Sequence, residues 1–136
     1  MTEPGATLPP ATRQRLEKLR HALLRLHRVL LDDERAAYEQ LHGRISAGEA
    51  LQLLLNHPQF AWLRSISELV VQVDEVLESK EPGTHAAANA LFKQARSLFL
   101  PATTEGEFRN KYHDALQRLP DVVLAHRDVT AALADG

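Results

Sequence analysis

The sequence predicts an all-α protein: a single-domain helical bundle of five or six helices with a long first helix. Three observations lead there. Apolar residues recur at spacings of three and four through almost every segment, the mark of helices with one buried face. No segment alternates apolar and polar residues as a half-buried strand does, and no Asn-Gly or Asp-Gly pair stands between apolar runs. The breaks between periodic segments are short and carry proline, glycine or a capping box. The chain has 136 residues, 44% of them apolar and 25% charged, which suits one folded domain and not a disordered one. A chain of that length buries roughly 68% of its unfolded surface.

Taken in order, residues 1–11 read as a flexible lead, because Pro4, Pro9, Pro10 and small residues offer little to pack. They lack the basic start and apolar stretch of a secretory signal. Residues 12–136 form the helical domain. Thr12 is the expected N-cap of the first helix, in which Leu16, Leu19, Leu23, Leu26 and Leu30 make an apolar stripe that Leu24 and Leu31 widen. The pattern runs on through Ala37, Tyr38 and Leu41 until Gly43 stops it, giving a helix of roughly 45 Å. Ser46 and Glu49 form a capping box for a short second helix ending near Leu55. Asn56 or His57 caps the next, with Pro58 in its first turn, where a missing N–H costs nothing. Trp62, Ile66, Leu69, Val73 and Val76 carry that helix to the Glu81-Pro82-Gly83 break. Thr84 opens a further helix bearing Ala87, Leu91, Phe92, Ala95, Leu98 and Phe99 and closed by Pro101. Thr104 and Glu107 make a second capping box ahead of Phe108, Tyr112, Ala115, Leu116 and Leu119, and Pro120 starts a last helix.

The formal net charge of −2 conceals an asymmetry. Residues 1–31 hold six basic residues (Arg13, Arg15, Lys18, Arg20, Arg25, Arg28) against two acidic ones. The remainder is acidic, most visibly at Glu68, Asp74, Glu75, Glu78 and Glu81. A basic helix suggests a polyanion. Yet Arg13 and Arg20 flank one side of the leucine stripe and Lys18 and Arg25 the other, with no aromatic residue between them to stack on a base. The plainer account is that basic and acidic helices lie side by side, their stems shielding leucines, so nucleic acid is not the expected partner.

With no cysteine, the chain has no disulfide, thiolate metal site, iron–sulfur cluster or cysteine nucleophile. Its seven histidines direct attention to metal or haem. The spacings do not support either. His21 and His27 diverge round a helix. His57 and His85 sit near helix starts, where neutral imidazole is favoured. Glu39-x-x-His42 alone puts a carboxylate and an imidazole on one helical face, but a di-iron bundle needs that motif twice. The nearest second copy, Asn110-x-x-His113, lacks the carboxylate. Glu39 and His42 are therefore the weak metal candidates, and no cofactor is expected. No nucleophile elbow, phosphate-cradling loop or His-Glu-x-x-His stands in the chain, and Asp32, Asp33 and Glu34 point different ways round the helix, so nothing argues for an enzyme.

Arg35, Tyr38, Glu39 and His42 fall within two turns on one side of the first helix. Charged groups beside a core need partners. An Arg35–Glu39 contact would make the cluster a polar network fixing helix register. The alternative is a pocket rim at which Glu39 and His42 meet a ligand, with Trp62 and Arg64 as neighbours. Arg35-x-x-Tyr38-Glu39-x-x-His42-Gly43, followed by Pro58-x-Phe60-Ala61-Trp62-Leu63-Arg64, resembles a set of small bacterial helical proteins. The resemblance spans roughly residues 16–77. It implies a bacterial cytoplasmic setting and that the two segments are read together, and it carries no activity across.

The expected function is non-enzymatic, through protein–protein contact and self-association. The leading reason is the near-heptad stripe Leu16, Leu19, Leu23, Leu26 and Leu30 on a helix longer than its neighbours, any overhanging part of which needs cover. The rivals are a ligand- or metal-binding bundle centred on Tyr38, Glu39 and His42, and weak polyanion binding through the first helix. No membrane span is expected, the longest uncharged run being short and interrupted by polar residues.

Overall fold

A computed structural model describes residues 8–79, 84–100 and 106–134. These form six α-helices: α1 (Pro10–His42), α2 (Ala47–Asn56), α3 (Arg64–Glu78), α4 (Thr84–Phe99), α5 (Glu107–Arg118) and α6 (Pro120–Ala134), with a 3₁₀ segment, Pro58–Leu63, leading into α3. No strand occurs among the described residues. The all-α bundle with a long first helix is the observed fold. No described helix is long and apolar enough to cross a membrane.

Four helices close a ring. α1 packs on α3 and α6, and α4 packs on both of those while touching α1 little. α3 runs antiparallel to α1, since Arg13 bonds the Leu77 carbonyl at 3.2 Å while Arg20 pairs with Asp74. α6 does the same on the other side, with Arg25 3.6 Å from Asp128 and Asp33 3.2 Å from Arg118, just ahead of α6. The core is one continuous cluster of buried apolar side chains, with the five stripe leucines at 0–1% exposure facing Ile66, Leu69 and Val73 of α3, Phe92 of α4, and Val122, Val129 and Leu133 of α6. Ala88 and Ala95 of α4 and Ala125 and Ala132 of α6 are buried beside them. Small side chains there let helix axes approach within the usual 8–10 Å.

The stripe is thus the core-facing face of α1, and this corrects its reading as an interaction surface. Its spacing showed that a partner must cover it, and the partners are α3, α4 and α6 of the same chain. The predicted lead also needs correction: Leu8 is buried, Pro10 is the first helical residue, and Thr12, expected as N-cap, is buried inside the first turn while Pro9 holds the cap position. Proline at N1 starts the helix because its fixed φ suits the first turn. The second capping box does not form as read. Thr104 lies outside the described residues, and Gly106 occupies the N-cap with Glu107 as the first helical residue.

Other boundaries fall where local chemistry puts them. Gly43, at φ 85° and ψ 171°, ends α1 in a backbone region that side chains with a Cβ rarely enter, and its N–H bonds the Glu39 carbonyl. Ser46 and Glu49 complete their capping box at the start of α2. His57 caps the 3₁₀ segment, Nδ1 accepting from the Gln59 N–H at 3.1 Å.

The last buried residue of α1 is Leu30. The remaining twelve residues, 31–42, extend about 18 Å past it. That overhang, α2, the 3₁₀ segment and α5 together occupy the end of the bundle where α3 and α6 begin.

Candidate functional site

The overhang is held by polar contacts, each reaching a different element. The Asp33 carboxylate receives Arg118 of α5. Glu34 accepts from the Trp62 indole N–H at 3.1 Å and from the Gln59 amide at 2.8 Å, both on the 3₁₀ segment. At the next residue, the Arg35 guanidinium donates to the Ile45 carbonyl at 2.6 Å, and the Ile45 N–H donates to Glu39, one turn on from Arg35, at 2.9 Å. Arg35 and Glu39 lie 3.7 Å apart, the i,i+4 contact that the spacing predicts. Between them they satisfy both backbone groups of Ile45, which folds the loop after Gly43 back along α1.

Tyr38 stands on the same side. Its ring is 4.3 Å from His42, 5.6 Å from His57 and 6.0 Å from Phe60. Tyr38, Ile45 and Leu53 floor a groove of about 490 Å³ between the overhang and α2, whose rim is Ser46, Gly48, Glu49 and Gln52.

The six residues expected at one site are therefore divided. Arg35 and Glu39 clamp Ile45. Tyr38 lines the groove, with His42 against its ring. Trp62 donates to Glu34, and its ring meets that of Phe108 of α5 at 5.7 Å with the planes tilted by 55°. Arg64 donates to the Leu55 carbonyl at 3.3 Å at the end of α2. Among the described residues no three histidine or carboxylate side chains converge as a metal site, and Glu39 is already committed to Ile45. The sequence reading overlooked Glu34. Its partners lie 25 and 28 residues away, and only an acidic residue one turn before Tyr38 hinted at it.

The basic face of α1 is largely engaged within the molecule. Arg20 and Arg25 meet Asp74 and Asp128, Arg13 bonds a carbonyl of α3, and the Arg15 guanidinium lies 4.1 Å over the Phe92 ring, a cation–π contact. Lys18 has a partner as well. The basic and acidic helices do lie side by side.

Seven large apolar side chains are exposed among the described residues; Leu24, Val71, Val123 and Leu124 stand along the bundle, and the other three lie on the overhang and α2. Leu41 is 82% exposed, Leu51 54% and Leu55 50%. At 100° per residue, Leu41 continues the line of Leu30 along α1 after the bundle beneath it has ended. Leu51 and Leu55 stand one turn apart on α2, on the strip beside Gly48 at the groove rim. Comparison with known proteins finds no matching family model, no matching curated protein and no matching solved structure.

Proposed function

We propose that this protein acts by contact with a second copy of itself, through the face formed by the overhang of α1 and by α2. The observation that carries this reading is the run-off of the apolar stripe at Leu41, together with Leu51 and Leu55 beside an apolar groove. Large apolar side chains scattered singly over a surface need no explanation, whereas grouped ones mark contact surfaces. An amphipathic helix binds a groove through anchors at i and i+4. This face holds both parts: an anchor pair, Leu51 and Leu55, and a groove floored by Tyr38, Ile45 and Leu53. A surface with both parts is complementary to itself, and a two-fold axis lets each α2 enter the other copy's groove in a closed dimer.

The patch is small, so the association belongs to the weak class, with a Kd of about micromolar order. The bacterial cytoplasmic setting implied by the sequence resemblance is compatible with a cysteine-free chain. Sedimentation equilibrium from about 1 to 300 μM tests the reading. The expected result is a monomer–dimer equilibrium that the double variant Leu51→Glu, Leu55→Glu removes while its melting curve stays that of the parent. A wild-type chain that remains monomeric throughout, or a double variant that still dimerises, refutes it.

A further inference from the structure

A second cavity, of about 140 Å³, lies between α4, α5 and α6, away from the groove. Its apolar walls are Phe99 of α4 and the Tyr112 ring and Leu116 of α5, and its polar groups are Arg109 and His113 of α5 and His126 of α6. Among the described residues no carboxylate lines it. Phe99 and Tyr112 meet edge to face at 5.6 Å and are both 2% exposed, so this wall is fixed by the core. The Tyr112 hydroxyl lies 2.7 Å from His126 Nδ1.

The hydrogen positions in that pair follow from its surroundings. Burial holds the Tyr112 phenol well above its ordinary range, keeping it protonated. Burial first, and then the Arg109 charge, push His126 below its ordinary value, keeping it neutral. A buried phenol O–H left without an acceptor would be costly, and Nδ1 is its only partner among the described residues. Tyr112 therefore donates to Nδ1, and the imidazole hydrogen sits on Nε2. Arg109 has no ion-pair partner among the described residues. The cavity combines a flat aromatic wall with the Arg109 guanidinium, the His126 Nε2–H and the His113 imidazole.

We propose that this cavity binds a small aromatic carboxylate, its ring against Phe99 and Tyr112 and its carboxylate between Arg109 and His126. A carboxylate accepts from a guanidinium fork and from an imidazole N–H without disturbing the Tyr112 bond. The size fits, since an apolar cavity of about 150 Å³ admits a benzene ring. An anion bound there also offsets the Arg109 charge that His126 faces, so as pH falls binding takes up a proton at His126, whose Nδ1–H then donates to the Tyr112 oxygen in place of accepting from it. Among the described residues, His126 shares the cavity with Arg109, Tyr112 and His113 from α5 and with the uncharged Phe99 from α4.

Benzoate is the probe, titrated into the full chain and followed by two-dimensional NMR and calorimetry. Saturable shifts at Arg109 and His126 are expected, with a Kd of about millimolar order or tighter. Benzoate should bind several-fold more tightly at pH 6 than at pH 8. Arg109→Gln, whose side chain is outside the core, should weaken binding about ten-fold or more with an unchanged circular dichroism spectrum. His126→Gln should lose the pH dependence. Repeating the titration on the Leu51→Glu, Leu55→Glu variant separates this site from self-association, and the affinity should be unchanged. Absence of saturation, undiminished binding by Arg109→Gln, or acetate or inorganic phosphate binding as tightly as benzoate each overturns the proposal.

Discussion

The two ends of α1 belong to one unbroken helix of 33 residues, yet different forces hold them. Up to Leu30 the helix is fixed by burial: five leucines at 0–1% exposure lie against α3, α4 and α6. Beyond Leu30 no residue of α1 is fully buried, Leu31 and Tyr38 only half so, and the helix is fixed chiefly by Asp33, Glu34, Arg35 and Glu39, which bind α5, the 3₁₀ segment and the loop at Ile45. Dispersion and the hydrophobic effect are non-directional, so any apolar neighbour of suitable volume serves the first half. Hydrogen bonds are directional, so each residue of the second half selects one partner and one geometry. The first half makes the bundle. The second half fixes where α2 stands, and hence the groove and the exposed leucines.

The comparison is broken most severely in the first half. Leu26→Ala should cost about 3 kcal/mol by urea denaturation, through lost transfer free energy and the cavity left behind. That is a large share of the roughly 5–15 kcal/mol stability of a domain this size. Because the core is one cluster, the whole bundle should lose stability with it.

Glu34→Ala tests the second half and should cost less, about 2 kcal/mol, by leaving the Trp62 indole without its acceptor and the Gln59 amide with only the backbone carbonyl of residue 34. The effect should also be local. Trp62 is 5% exposed and is the single tryptophan, so its emission should move to longer wavelength as water reaches the indole. An unchanged spectrum and stability would mean that the overhang is held without Glu34.

These two residues also mark how far the sequence could be read. The core half was legible because a spacing of three and four is itself the geometry of a buried helical face. Arg35 and Glu39 were legible as a pair because i and i+4 are adjacent on a helix. Their common target, Ile45, was not, because it depends on the path of the loop after Gly43. Glu34 and Trp62 are 28 residues apart, and no local pattern connects them. For the same reason the structure does not group Trp62 and Arg64 with Tyr38: Trp62, on the 3₁₀ segment, is drawn to Glu34, and Arg64, at the start of α3, to the Leu55 carbonyl. The stripe showed that leucines would be covered and was silent on what covers them.

Acid should weaken the bundle. His27 of α1 and His126 of α6, both level with the buried half of α1, are held below their ordinary value, in each case mainly by burial, and His27 Nε2 has no hydrogen-bond partner among the described residues. A base depressed in the folded state takes up a proton more readily when unfolded. Stability is therefore full above the ordinary histidine value of about 6.5 and declines as pH falls below it toward the folded-state values. Urea melts at pH 8 and pH 5 should show the loss, with His27→Gln and His126→Gln each reducing the slope. A flat profile would mean that neither imidazole is held neutral.

The smallest effect on stability should come from Leu41→Ala. It changes the same residue type, in the same helix and along the same apolar line as Leu26→Ala. At 82% exposure, however, it buries almost nothing within the monomer, so the cost should lie within about 0.5 kcal/mol of zero. Urea denaturation at low micromolar concentration isolates that term, because self-association adds to apparent stability only as concentration rises above the dissociation constant. At about 300 μM the two chains should part. The parent should gain stability from dimer formation, and the Leu41→Ala chain should gain less. Equal behaviour at both concentrations would mean that Leu41 faces only water and that the contact surface is confined to α2. A large loss at low concentration would mean that Leu41 is covered within the monomer, and the two halves of α1 would then be held by the same force.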